Sequence, residues 1–492
     1  MAPYSRLNGS RIGLQPIRFR SFHAVGFPIR PLRIALGQSV HGSTPARPDG
    51  IPQGALFTAR LEVRSVDRHS QGVARAAAAS GKVEGQYGDA PGILTLEDVD
   101  RICTGRDAPE RIKRCLSLYQ QESGIRYAML VGDGNKFPIR FTTFMVIEND
   151  AATIGHIAYY PADLYYADLY KSDGSFDDWD ANGNGAYGEI GGLAQPVPAN
   201  VDRADLNPDI SVGRVPVSTV EETNIYVGKV MGYESGAQGS DWVQRILAIV
   251  TRNLLPDECQ YQEQMLSAFP AGWDSVRLYV EGNPCRETPA LTKDNILAEM
   301  SRGVGLVSFL GHGSIDFWAD AISVKDFVDV QNAERLPVVF SGGCTTAEFT
   351  TDPPGGPYTD TQGNDHPGSN AGEVVPSTPP PPAPLQVTYN NGGIMEFSLV
   401  QIPNGVVVYI GSVTIAQMGP TINLNEFFFN GIAGGEPTVS DAWNFAFRKY
   451  YQTDRFRAEP ADIGGMLWGL YQPWKYMLFG DPSLRIGGVS KS

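Results

Sequence analysis

Apolar residues in the second half of the chain come in short, unbroken blocks. Val304–Leu310 and Pro337–Phe340 are rich in Val, Leu and Phe, and each block stops at small residues. Such blocks predict strands buried on both faces, as in a parallel sheet. Arg245–Thr251, Ser275–Val280 and Gly405–Val413 have the same character, and helical spacing appears at Gln260–Phe269, Thr292–Ser301 and Thr438–Tyr451. Strand and helix in alternation predict an α/β fold with an open, mostly parallel sheet and helices on both faces. The first half repeats the pattern more sparsely. Leu96–Gln121 has helical spacing, and Tyr127–Pro138 reads as a strand closed by Gly-Asp-Gly. Asp209–Glu234 predicts a short strand, a turn and a helix capped by Ser218 or Thr219. Two α/β subdomains are therefore expected, over 93–240 and 241–488. Residues 1–92 show weak periodicity and are expected to be poorly ordered, apart from a strand near Ala59–Val66. Asp352–Gly393, which includes Pro379–Pro382, interrupts the pattern with Pro, Gly, Asp and Asn. It is expected to be a mobile insert beside the cleft, blocking it until cut or narrowing what enters.

In open α/β sheets ligands bind beyond the carboxyl ends of the strands. Gly311-His312-Gly313 follows the first block and Gly342-Gly343-Cys344 follows the second, 32 residues on from the histidine. Neighbouring parallel strands would bring His312 and Cys344 out side by side, with room between them for the crossover that such pairing needs. A thiol facing an imidazole, with glycines that let a substrate approach the backbone, is the minimum equipment of a cysteine nucleophile.

These residues resemble the gingipain-type cysteine peptidases, whose catalytic fold is caspase-like. The similarity takes in His312-Gly313, Ser314 and Trp318, and continues through Pro337, Cys344 and Phe349. Gly-Asp-Gly at 132–134, Val-Gly-Arg-Val-Pro at 212–216 and the final block Tyr476–Ile486 are also similar to that family. Ala347 departs from it, because the family carries glycine there. The resemblance implies a cysteine endopeptidase acting on proteins or peptides at the cell surface or outside the cell. It also implies that the N–H groups of Gly313 and Cys344 are oxyanion donors. Relatives selective for arginine carry an acid in the segment that here reads LLPDECQYQEQ, but Cys259 falls where that acid would align. Asp257 and Glu258 are the acids nearby, so a basic P1 preference is an open expectation. Trp318 is expected either as a wall of that pocket or as a core side chain. Asp133 reads as a turn former in preference to a catalytic acid, Arg214 as a buried partner of a carboxylate, and His366 as outside the catalytic set.

A second motif lies in the first half. Asp178-Trp-Asp180-Ala-Asn182-Gly183-Asn184, ending at Glu189, has oxygen-bearing side chains at positions 1, 3, 5 and 12 of a calcium loop. Glycine occupies position 6, and Asn184 offers a backbone carbonyl at position 7. Carboxylates this close repel one another unless a hard cation neutralises them, so structural calcium is expected and no organic cofactor.

The net charge of −15 argues against nucleic acid as the main partner. No apolar run is long enough to span a membrane. Arg11, Arg18, Arg20, Arg30 and Arg33 interrupt every apolar stretch near the start, so no secretory leader is legible and either a mis-called start or a truncated upstream region is expected. Five cysteines allow two local disulfides, Cys103 with Cys115 and Cys259 with Cys285, and leave Cys344 free. Five reduced thiols fit the count equally well, and a single helix carrying both Cys103 and Cys115 would forbid the first bridge. Two other functions compete. One is an inactive, secreted calcium-binding adhesion or scaffold protein on the same fold. The other is a serine hydrolase using Ser314 or Ser412, although neither lies in a Gly-x-Ser-x-Gly elbow.

Overall fold

The computed structural model describes residues 60–65, 92–147, 154–191, 200–251, 258–374, 380–386, 392–453 and 463–488. Ten strands form one sheet: β1 Arg60–Ser65, β2 Gly92–Thr95, β3 Ile125–Val131, β4 Ser211–Val215, β5 Arg245–Val250, β6 Asp274–Tyr279, β7 Leu306–Leu310, β8 Val338–Ser341, β9 Val408–Ser412 and β10 Tyr476–Phe479. Their spatial order is β2-β1-β3-β4-β10-β9-β8-β7-β5-β6. Strands β9, β8, β7, β5 and β6 all run parallel, with Leu306 level with Val338 and Val338 level with Val408. Strand β10 pairs antiparallel with β9 and parallel with β4, which pairs parallel with β3. The sheet therefore changes direction where Ser412 faces Tyr476, and again at β1, which runs antiparallel to both β2 and β3. Helices cover both faces, over two apolar cores.

The reason for this architecture is local. Every residue of β7, β8 and β9 is buried, as their mainly apolar content requires, and buried Ser308 is bonded by Gln262 and Asn425. Thr219 caps the helix Val220–Gly236, and its side chain accepts from Glu222 N–H. The helical stretch after Leu96 is in fact two helices, Leu96–Ile102 and Ala108–Ser123, with Cys103 just past the end of the first. That break lets Cys103 reach Cys115, and Cys259 is bridged to Cys285. The expectation of a strand near residue 60 is met by β1, while the rest of residues 1–91 lies outside the described residues.

The insert is not the formless loop its composition predicts. Tyr358–Thr359 pairs antiparallel with Asp365–His366, and Tyr358 and Asp360 are buried. The described part is tied to the first half through the backbone: Tyr159 N–H donates to Pro353 O, Ile139 N–H to Pro384 O and Gln386 N–H to Gly134 O. His366 lies between Glu373 and Asp360, at 2.6 and 3.1 Å, within the insert itself.

Candidate active site

His312 follows the carboxyl end of β7 and its side chain is exposed. The chain then makes a small antiparallel sheet in which Gly313 pairs with Trp318, and Trp318 with Ile322. Trp318 fixes this sheet to the fold. Its indole stacks on Phe309 with centroids 4.7 Å apart and donates to Tyr409 Oη at 3.1 Å. At 1% exposure it is a core side chain and presents no wall to a substrate.

Beyond β8 the chain turns at Gly342-Gly343-Cys344. A Cβ on Gly343 would lie 3.0 Å from Gly313 Cα, and one on Gly313 would lie 2.5 Å from Thr346 Cγ2 and 3.1 Å from Cys344 O. The two glycine backbones touch, which is what brings the histidine and cysteine segments together. Past the cysteine, Thr345 adopts a left-handed φ of 51°. Its N–H donates to Thr414 O, and Ala347 N–H donates to Ser412 O. Ala347 is fully buried where the resembling family has glycine, and it is accommodated because Gly411 opposite has no side chain. Cys344 is half-buried and is the one unbridged cysteine. Its Sγ faces Ala416, accepting from the N–H at 3.4 Å and lying 3.5 Å from the carbonyl oxygen.

Three ionisable groups that the sequence did not single out lie around this turn. Burial pushes Glu348 up to about 7, aided by the charge of Asp352. Burial pushes Asp352 up to about 6, against a hydrogen bond from Thr414. Burial brings Lys475 down to about 7, opposed by the negative charges of Cys344 and Asp352. Each is a lone charge in an otherwise ordinary segment, and no spacing rule marks it.

Other candidates fall elsewhere. Asp257 lies outside the described residues. Glu258 is 2% exposed and sits in the core beside the Cys259–Cys285 bridge, so it does not line an open pocket. Ser412 is buried and donates to Thr414 O, which removes it as a nucleophile. Arg214 is a buried structural arginine, with Nε and Nη2 each 2.7 Å from the Asp163 carboxylate.

Asp133 forms the turn after β3, its carboxylate accepting from Gly134 N–H and Ser218 Oγ. It also belongs to a buried acid group. Glu396 is fully buried and feels the charges of Asp133 and Glu222. Burial raises Glu396 well above the usual carboxyl range and Asp133 to about 7, with Arg214 opposing the latter. A carboxyl group raised in the folded state holds its proton where the unfolded chain has lost it. Stability is then highest below the unfolded value and falls as pH rises toward the folded one, by about 1.4 kcal/mol per pH unit for each such group. Glu396→Gln is accordingly expected to raise the thermal midpoint at pH 8 and to flatten its decline from pH 5 to pH 8. Parallel pH-dependent melts of the two proteins would show a reduced slope in the variant, and identical slopes would exclude Glu396 as the proton holder.

The proposed calcium ligands are brought together, with a complication. Asp180 Oδ1 accepts from the N–H groups of Asn184 and Gly185, and the amides of Asn182 and Asn184 both reach Glu189 Oε2. Arg106 enters the same loop, 3.0 Å from Asp178 and 2.7 Å from Asp180. Among the described residues no three His, Cys, Asp or Glu side chains form a group that could hold a metal ion, so the asparagine oxygens would have to complete the set.

Comparison with known proteins places this geometry in context. The sequence pattern described as peptidase family C25 matches residues 76–487. Among curated proteins none matches the sequence. A solved structure of the Arg-specific cysteine proteinase gingipain R is 15% identical, with a TM-score of 0.49, covering 76% of this chain and 68% of its own. The complex of the Porphyromonas gingivalis RgpB pro- and mature domains is also 15% identical, with a TM-score of 0.48, covering 80% of this chain and 72% of its own. The Saccharomyces cerevisiae separase–securin complex is 12% identical, with a TM-score of 0.32, covering 56% of this chain and 14% of its own. No helix among the described residues is long and apolar enough to cross a membrane.

Proposed function

Because the chain belongs to peptidase family C25, a family of cysteine peptidases, we propose that it hydrolyses peptide bonds with Cys344 as nucleophile and His312 as general acid and base. The observation that carries this reading is the backbone contact between Gly313 and Gly343, which joins an exposed strand-end histidine to the free cysteine. The sulfur, as thiolate, attacks the scissile carbonyl carbon. The C–N bond breaks as the imidazolium protonates the departing amine, and the imidazole then draws a proton from the water that releases the acyl group. Gly313 and Cys344 are the proposed oxyanion donors, since a glycine and a tight turn let the carbonyl oxygen approach the backbone. A basic P1 preference remains part of the proposal. With Glu258 buried, the proposal assigns that contact to Glu348, four residues past the nucleophile and partly exposed. Brief treatment with iodoacetamide at neutral pH, followed by peptide mass mapping, tests the reading. Labelling of Cys344 faster than a small free thiol supports the peptidase, and labelling no faster supports the inactive scaffold.

We also propose that Asp180, Asn182, Asn184 and Glu189 bind structural calcium, with Asp178 released from Arg106 as the ion enters. The backbone already wraps around Asp180, with Trp179, Gly183 and Gly185 all at positive φ. An oxygen-rich set with few charges suits a hard cation at extracellular concentrations. The two disulfides agree with the same oxidising setting, outside the cell or at its surface. Calcium is expected to raise the thermal midpoint of the wild-type protein relative to chelator, and to leave Asp180→Ala unchanged. Equal shifts in both proteins, or none in either, would place the ion elsewhere or nowhere.

A further inference from the structure

The helix Ile463–Lys475 ends at the edge of the sheet from which Cys344 emerges, and its last residue is an amine shut off from solvent. Lys475 Nζ donates to Ile415 O at 2.7 Å and to Gln417 Oε1 at 3.4 Å. One turn earlier, buried Gln472 accepts from Gln417 N–H at 3.2 Å and donates to Thr421 Oγ1 at 2.9 Å. The helix end thus grips the residues on either side of Ala416, whose N–H and carbonyl face the cysteine sulfur. The strand that follows keeps the grip in register, because Val413 N–H donates to Lys475 O and Ser412 pairs with Tyr476.

A buried ammonium is costly unless anions face it. Cys344, once ionised, and Asp352 both act on Lys475. Attraction between two charges is mutual, so a cation at Lys475 and a thiolate at Cys344 each favour the other. We propose that Lys475 is a positioning residue for Cys344: it holds the Ala416 amide against the sulfur and sets a positive charge beside the thiolate. This deepens the peptidase reading and rests on Cys344 being its nucleophile. A lysine that merely ties off its helix would hold the carbonyl of Ile415 equally well, but would leave no electrostatic mark on the sulfur.

That mark can be read without assaying hydrolysis. His312→Ala removes the imidazole of the neighbouring strand end, and the side chain it removes is exposed. In that protein we compare the alkylation rates of Cys344 by iodoacetate and by iodoacetamide, each divided by its rate with a small free thiol. A nearby ammonium favours the anionic reagent, so the normalised ratio is expected to exceed unity by about threefold or more at pH 6. It should then fall toward unity at pH 9, as Lys475, which burial brings down to about 7, loses its proton. Adding Lys475→Met should abolish the preference and slow iodoacetamide labelling at pH 7. A ratio of unity or below from pH 6 to pH 9 in the His312→Ala protein overturns the proposal, and that arm stands even if the methionine variant does not fold. The catalytic reading fails by a different result, peptide hydrolysis retained in Cys344→Ala, whatever the alkylation ratio in the His312→Ala protein.

Discussion

Cys344→Ala is expected to abolish peptide hydrolysis, with a loss of at least about a thousandfold, while the thermal midpoint stays near that of the wild type. No other group in the turn can replace the sulfur. Ser341 Oγ and Thr346 Oγ1 are buried against each other at 2.8 Å, and Thr345 carries its side chain on a left-handed backbone. The fold should survive because the sulfur makes only weak contacts with Ala416, at 3.4 and 3.5 Å. His312→Ala should cost about 10²–10⁴-fold, since an amine leaves poorly without a proton donor. Its exposed side chain makes the stability effect of this change small. Rates on an unstructured protein substrate, measured beside the melts, separate lost chemistry from lost structure. Comparable hydrolysis by either variant would remove that residue from the mechanism.

The second large effect concerns stability. Arg214 is fully buried and forms two hydrogen bonds to Asp163, itself 6% exposed. Its remaining donors lie near the carbonyls of Gly132, Phe137 and Pro138, and its guanidinium stands 5.1 Å from the ring of Phe349. It therefore ties the turn after β3 to the segment that leaves the nucleophile. Replacing one member of a buried ion pair strands the other charge, at a cost of about 3–5 kcal/mol. Arg214→Met should show that loss in chemical denaturation, and Arg214→Met with Asp163→Leu should recover part of it. A single variant within about 1 kcal/mol of wild type would mean that Asp163 finds another partner or solvent.

The sheet was legible where residues had one environment. The blocks that became β5, β7, β8 and β9 are mostly apolar because both faces are covered, so their boundaries differ from expectation by at most three residues. The helix Met418–Ala433 was missed for the same reason. Phe427, Phe428 and Phe429 are all buried, so no polar stripe declares a helical period. The insert misled through composition. Its order comes from backbone bonds to Gly134, Ile139 and Tyr159, and hydropathy does not record them. That His312 and Cys344 would follow neighbouring strands was legible, because each stands among glycines directly after an apolar block. Trp318 and Glu258 were ambiguous, since spacing gives no direction for a side chain, and both point inward. Lys475 had no signal at all: its meaning comes from Ile415, 60 residues earlier in the chain.

The central claim is that Cys344 forms a covalent bond to the acyl part of a peptide. Peptide esters with arginine and with alanine at P1 acylate faster than amides, and acid quenching during turnover would trap the intermediate for mass mapping. The account predicts the acyl mass on the peptide that carries Cys344, and its absence from Cys344→Ala. An acyl group found on Ser314, or hydrolysis with no adduct on Cys344, would contradict it.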